Sequence, residues 1–204
     1  MTPQPSLVDY APLIVHFGHA LDVTDEQFFQ FCRVNRDLRI ERRADGDVIV
    51  TSSAGGRTGA RNAEITFQLR WWAQRDGRGV AFDSSTGFRL PNGAIRAPDA
   101  AWVPRSRLAP LAEEARERFL PLCPGFVIEL RSPSDDLQAL RDKMEEYRDN
   151  GTDLGWLIDS IDRRVHVYEI GRAAIELVSP SEVSGDPVLV GFVLNLTTIW
   201  EPGF

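Results

Sequence analysis

Residues Phe126–Arg131 form a short apolar strand pattern that contains a carboxylate, and few folds can accommodate such a segment. With the two-residue period of a strand, Val127, Glu129 and Arg131 share one face, and the three apolar side chains share the other. A carboxylate in so apolar a segment is costly to bury unless it has a partner or a bound cation. We therefore expect a buried strand in which Glu129 either pairs with an arginine or belongs to a functional site.

Strand and helix patterns surround this segment. Turn dipeptides predict hairpins at residues 44–47 and 91–93, and apolar residues at helical spacing predict helices over about residues 60–74 and 136–148. Further strands are expected at residues 100–103, 154–159, 164–170, 174–178 and 188–194, and a glycine-rich loop is expected at residues 54–59. This order of elements predicts an α/β fold that borders on α+β.

Composition excludes several classes of protein. The 204 residues contain no apolar run long enough to span a membrane and only two cysteines, Cys32 and Cys123. We expect one domain over residues 1–204 with an arm at residues 1–23, in a cytoplasmic protein, since no signal peptide is visible. The net charge of −7 counts against simple binding to a nucleic-acid backbone, but it leaves room for an enzyme with a local basic groove.

Asp99 is a second candidate acid. Pro98 holds the chain extended, and the strand predicted at residues 100–103 follows directly. If that strand lies beside the one that contains Glu129, the two carboxylates converge and repel each other, and a divalent cation relieves the repulsion. Mg²⁺ favours one or two carboxylates completed by water or phosphate. The alternative is that Asp99 is only a turn residue after a proline.

Lys143 stands out because it is the single lysine among 23 basic residues. It lies at the edge of the apolar stripe of the helix predicted at residues 136–148, from which it could reach the strand ends. The alternative is a solvated lysine paired with Glu146 or Asp142.

Glu64 is a fourth candidate, on the first long helix and on no obviously exposed face. The alternative is a surface glutamate that pairs with Arg61 or Arg57.

The order of these residues resembles the PD-(D/E)XK nuclease superfamily, whose fold is that of restriction endonucleases. More closely, the chain resembles the bacterial Uma group of that superfamily over most of residues 24–168. The most specific stretch is VIELRSPSDDLQALRDKMEEYRDNG, which carries Glu129 and Lys143. The resemblance implies a restriction-endonuclease-like core, with a mixed central sheet flanked by helices and an additional N-terminal hairpin.

The resemblance also implies roles for the candidate residues. Asp99, Glu129 and the backbone carbonyl of Leu130 would bind the metal, and Glu64 would be a supporting acid. The superfamily's lysine normally stands two residues after the strand acid, where this chain has Arg131.

Family members often carry a lysine on the following helix, and Lys143 matches it. Lys143 would then supply the catalytic ammonium, and Arg131 would contact phosphate or orient Glu129, because an arginine does not readily give up a proton.

The leading hypothesis is therefore hydrolysis of DNA phosphodiester bonds with Mg²⁺, for which Mn²⁺ could substitute. Arg57, Arg61 and Arg131 would offset the acidic surface at the DNA.

The second hypothesis is a catalytically degenerate module that binds nucleic acid or protein, which the net charge and Arg131 favour. A small-molecule hydrolase ranks last, since no nucleophile constellation is present. Nucleases that cut both strands are often symmetric dimers, which leaves a homodimer open.

Overall fold

The computed structural model describes residues 12–17 and 23–204, so most of the arm expected at residues 1–23 lies outside the described part. The helices are α1 (Asp25–Val34), α2 (Gly56–Asp76), α3 (Arg105–Leu108), α4 (Glu113–Arg116), α5 (Leu137–Asp149) and α6 (Thr197–Trp200). Within the described ranges, no helix combines the length and the apolar character that crossing a lipid bilayer requires.

The strands in chain order are β1 (Leu13–Val15), β2 (Arg39–Arg42), β3 (Val48–Thr51), β4 (Gly79–Asp83), β5 (Phe88–Arg89), β6 (Ile95–Arg96), β7 (Ala100–Pro104), β8 (Phe126–Arg131), β9 (Leu154–Asp159), β10 (Arg164–Glu169), β11 (Ile175–Val178), β12 (Glu182–Ser184) and β13 (Val193–Asn195). The sequence pattern did not predict β1, which pairs antiparallel with β3, or β4. In place of the strand expected at residues 188–194, the structure has the shorter strand β13, which pairs antiparallel with β12 in a hairpin.

The central sheet has six strands in the order β11-β10-β9-β8-β7-β4. Strands β8 and β9 run parallel, and the other neighbours run antiparallel, so the sheet is mixed as predicted. The alternation in β8 divides the core: Phe126 and Ile128 pack with α2 residues such as Leu69, whereas Val127 packs with Met144 of α5. One face of the sheet therefore carries α2, and the other carries α5.

A second sheet of five strands has the order β1-β3-β2-β6-β5. Both of its predicted hairpins are present. Arg43 and Asp47 close the first turn, and the Leu90 N–H and the Ala94 carbonyl close the second at 2.8 Å. After β6 the chain passes through residues 97–99 directly into β7 of the central sheet. These three residues thus connect the two sheets.

Helix α2 begins earlier than its sequence pattern indicates. Gly55 is its N-cap and Gly56 its first residue, so the predicted glycine-rich loop supplies the first helical turn. Thr58 in that turn is buried on the same helix face as Ile65 and Leu69. Packing of this face against the sheet outweighs the weak helix propensity of glycine.

Replacing glycine by alanine should have opposite effects on stability at two positions, Gly79 and Gly59. A Cβ at Gly79 would lie 2.2 Å from Cε2 of Trp102, whereas a Cβ at Gly59, on the exposed side of α2, would meet nothing within 4 Å. We expect Gly79→Ala to lower the free energy of unfolding by about 1–3 kcal/mol through overpacking. Gly59→Ala should raise it by about 0.5–1 kcal/mol through reduced chain entropy. Urea denaturation measures both, and a neutral Gly79→Ala would contradict the close packing.

Candidate active site

Asp99, which directly precedes β7, lies opposite Glu129 of the neighbouring strand β8. The antiparallel register of β7 and β8 pairs Ala100 with Ile128, which places residue 99 opposite residue 129. Asp99 Oδ2 accepts a 2.8 Å hydrogen bond from the backbone N–H of Leu130. Both carboxylates are buried, with relative exposures of 5% and 3%. The structure thus brings together the two acids that the sequence pattern singles out.

Lys143 reaches this pair from α5, which covers β8. Its Nζ lies 2.8 Å from Oε1 of Glu129 and 2.8 Å from Oε1 of Glu41. One helical turn later, the hydroxyl of Tyr147 donates to the same Oε1 of Glu129 at 3.1 Å. The single lysine of the chain therefore lies between two buried carboxylates, with 13% of its side chain exposed.

Glu41 in β2 is a member of the cluster that the sequence analysis missed. Besides Lys143, it accepts hydrogen bonds from the backbone N–H of Ala97 at 3.0 Å and from Nη1 of Arg96 at 3.2 Å. Arg96 also donates through Nε to Glu146 at 2.5 Å, so the alternative partner considered for Lys143 is engaged elsewhere. The signal for Glu41 was weak because its strand, Arg-Ile-Glu-Arg, looks solvated.

Two further side chains hold Asp99. Nη1 of Arg39 lies 2.8 Å from Asp99 Oδ1, and its Nη2 donates to the carbonyl of Ala97 at 2.6 Å. The side-chain amide of Asn62, on α2, donates to the same Oδ1 at 3.3 Å. The carbonyl oxygen of that amide is buried and has no hydrogen-bond donor among the described residues.

The acids differ in how well their charges are compensated. Burial, together with repulsion from Asp99 and Glu41, raises the pKa of Glu129 to about 7 despite the attraction of Lys143. Burial also acts to raise the pKa of Glu41, but Lys143 and two arginines overcome it and lower that pKa to about 2. A cation that enters beside Glu129 would relieve the remaining repulsion.

The structure does not bring Glu64, the supporting acid implied by the resemblance, into this cluster. Its Oε1 accepts a hydrogen bond from Gln68 at 2.8 Å, one turn along α2. Asn62 stands two residues earlier, about 200° around the helix axis, and it is the residue that contacts Asp99. The alternative that Glu64 pairs with Arg61 or Arg57 is not observed within the described residues either.

Arg131 is held away from Glu129. It pairs with the fully buried Asp159 of β9 at 2.7 Å and more loosely with Asp162 at 3.4 Å. Arg131 therefore does not orient Glu129 through a direct contact, and its expected contact with phosphate stays a prediction. In this structure, Arg131 fastens the end of β8 to the turn after β9.

The other two arginines expected at the substrate differ in their surroundings. Nε of Arg61 donates to the backbone carbonyl of Ile199 at 2.7 Å, which ties α2 to α6. Arg57 is exposed in the first turn of α2. Of these two, Arg57 is the more exposed.

The donor set fits a hard divalent cation, although it is not a preformed cage. Among the described residues, no three His, Cys, Asp or Glu side chains are arranged to hold a metal. Mg²⁺ nevertheless requires only one or two carboxylates when phosphate and water complete its octahedron. Asp99 and Glu129 provide two, and the unpaired amide oxygen of Asn62 is a further hard donor beside Asp99.

Comparison with solved structures shows that another protein has the same fold. A crystal structure described as a "putative nuclease" from Anabaena variabilis matches with a TM-score of 0.68. The match has 20% sequence identity and covers 79% of this chain and 89% of that chain. The likeness confirms the predicted fold class. A search of curated proteins gave no match.

A family profile also matches the sequence itself, over residues 25–197, which is most of the chain. The matched range contains every member of the cluster around Glu129 and Lys143. The chain therefore belongs to the Uma2 family, described as "Putative restriction endonuclease".

Proposed function

We propose that the protein is a nuclease that hydrolyses DNA phosphodiester bonds with a divalent cation, Mg²⁺ or Mn²⁺, held at Asp99 and Glu129. The observation that carries the proposal is the convergence of these two buried acids with the ammonium of Lys143, 2.8 Å from Glu129. Membership of the Uma2 family and the likeness to a nuclease fold support it.

The residues of this chain divide the chemistry among them. When bound, the cation supplies Lewis-acid polarisation of the scissile phosphate and a lowered pKa for the attacking water. Asp99 and Glu129 would hold it, together with the backbone carbonyl of Leu130. Lys143 has three N–H donors, of which two contact Glu129 and Glu41. The third would orient the attacking water or stabilise charge that develops on the phosphate.

The position of Lys143 also supports an enzyme over a degenerate binding module. That second hypothesis rests partly on Arg131, which stands where the superfamily normally has its lysine. Arg131 is engaged by Asp159, and an ammonium nevertheless reaches the strand acid from α5. The charge that the site needs is therefore supplied from another element.

Substitution of the two acids tests the proposal. Asp99→Asn and Glu129→Gln should each reduce cleavage of plasmid DNA in Mg²⁺ or Mn²⁺ by about 100-fold or more, since each removes transition-state stabilisation through the metal. EDTA should abolish cleavage by the wild type. Glu182→Gln, an exposed change on β12, is the matched control. If Glu129→Gln cuts as well as the wild type, the assignment is wrong.

Metal binding separates the enzyme from the binding module. In calorimetry without DNA, the wild type should bind Mn²⁺ and Glu129→Gln should lose most of that heat. A chain that binds DNA but gives no metal heat would support the degenerate module instead.

A second comparison asks which glutamate supports the site. We expect Glu41→Gln to lower the cleavage rate about tenfold or more, because Glu41 holds the catalytic ammonium in place. Glu64→Gln should change the rate by less than about threefold, because Glu64 contacts Gln68 and not the cluster. Thermal unfolding of both variants controls for lost stability. The reverse order of effects would restore Glu64 as the supporting acid.

Lys143 should matter for the chemical step more than for metal binding. Lys143→Gln should reduce the cleavage rate by about 100-fold. The affinity of this variant for Mn²⁺ should not fall, because the substitution removes a positive charge that repels the metal. Arg141→Gln, on the same helix, is the matched control. If Lys143→Gln retains the cleavage rate, its ammonium has only a structural role. Thermal unfolding is recorded in parallel, because breaking a buried ion pair costs about 3–5 kcal/mol.

A further inference from the structure

Arg39 forms an ion pair with Asp99, one of the two carboxylates that would bind the proposed metal. Its Nη1 lies 2.8 Å from Asp99 Oδ1, which also accepts from Asn62 at 3.3 Å, so both lone pairs of that oxygen are engaged. The other oxygen, Oδ2, accepts from the backbone N–H of Leu130 at 2.8 Å. One lone pair of the carboxylate is then left, and a cation that binds there would lie close to a guanidinium.

Such a neighbour opposes metal binding. A guanidinium and a divalent cation on one carboxylate repel each other, and the repulsion is stronger in a buried site than in water. The hydrogen bonds from Asn62 and from the backbone N–H of Leu130 both come from neutral groups. Of the three groups that hold Asp99, only Arg39 carries a charge that competes with a metal.

Arg39 is also the cation of the cluster that is best placed to move. Its side chain is 35% exposed, against 13% for Lys143 and 8% for Arg96. Arg39 is the first residue of β2 and lies opposite Thr51, at the open end of the β2–β3 hairpin. Its guanidinium has the planar fork that phosphate binding favours.

We propose that Arg39 is a displaceable counter-ion: a divalent cation takes its place on Asp99, and the freed guanidinium then binds a phosphate of the DNA. The inference rests on the proposed function and adds to it a coupling between metal and substrate. Asp99 stays compensated without metal, and the phosphate-binding group becomes available when the metal is bound.

Mn²⁺ titration of the DNA-free protein tests the first half. We expect Arg39→Gln to bind Mn²⁺ at least about fivefold more tightly than the wild type, the change that one unit charge makes at about 4 Å even in water. Arg36→Gln removes an exposed arginine three residues earlier and should leave the affinity unchanged. Equal or weaker binding by Arg39→Gln would show that Arg39 is only a structural counter-ion and would overturn the inference.

DNA binding tests the second half. In EDTA, Arg39→Gln and the wild type should bind a short duplex equally, because Arg39 is held by Asp99. In Ca²⁺, the variant should bind at least about fivefold more weakly than the wild type, and the salt dependence of its affinity should fall by about one phosphate contact. A loss of equal size with and without the metal would overturn the exchange.

The same measurements separate this inference from the proposed function. Absence of Mn²⁺ binding in the wild type and in Arg39→Gln would overturn both. Binding by the wild type without a gain in the variant would overturn the inference alone. If Arg39→Gln does not fold, a crystal of the wild type soaked in Mn²⁺ decides. The 2.8 Å contact between Arg39 and Asp99 should be broken, and its persistence beside a bound Mn²⁺ would contradict the proposal.

Discussion

Lys143 places its ammonium between two buried carboxylates, and these ion pairs determine how the elements at the centre of the fold meet. Lys143 comes from α5, Glu129 from the central sheet and Glu41 from the smaller sheet. None of these charges could be left alone in the interior without a large desolvation cost. The helix and the two sheets must therefore meet in one arrangement, because only that arrangement gives each group its partner.

The cluster is close to electrically balanced without any added ion. Four acids, Asp99, Glu129, Glu41 and Glu146, face three cations, Arg39, Lys143 and Arg96, so one negative charge is in excess when all are ionised. A divalent cation that enters such a site changes its net charge by two, which favours rearrangement of the existing pairs. The overall charge of −7 consequently says little about this region, where Arg39, Arg96 and Lys143 offset most of the acidic charge.

The sequence predicts those parts of the fold and site whose signal is local. The alternation in β8, the proline before Asp99, the hairpin turns and the stripe of α5 each specify their own segment, and the structure agrees with them. The role of Glu41 depends on how one sheet packs on another, which a strand of alternating charges does not reveal. Glu64 fails to reach the cluster for a similar reason, since the face of α2 that meets the sheet is set by packing of residues such as Ile65.

The position of Asp99 on the three-residue connection between β6 and β7 has a mechanical consequence. Glu41 is carried by the smaller sheet, Glu129 by the larger one, and Asp99 by the chain that joins them. Any sliding of one sheet across the other must change the spacing of the three acids, because no long linker absorbs the displacement. The cluster therefore restricts movement of one sheet relative to the other, and an ion bound there would hold the two sheets in a fixed relative position.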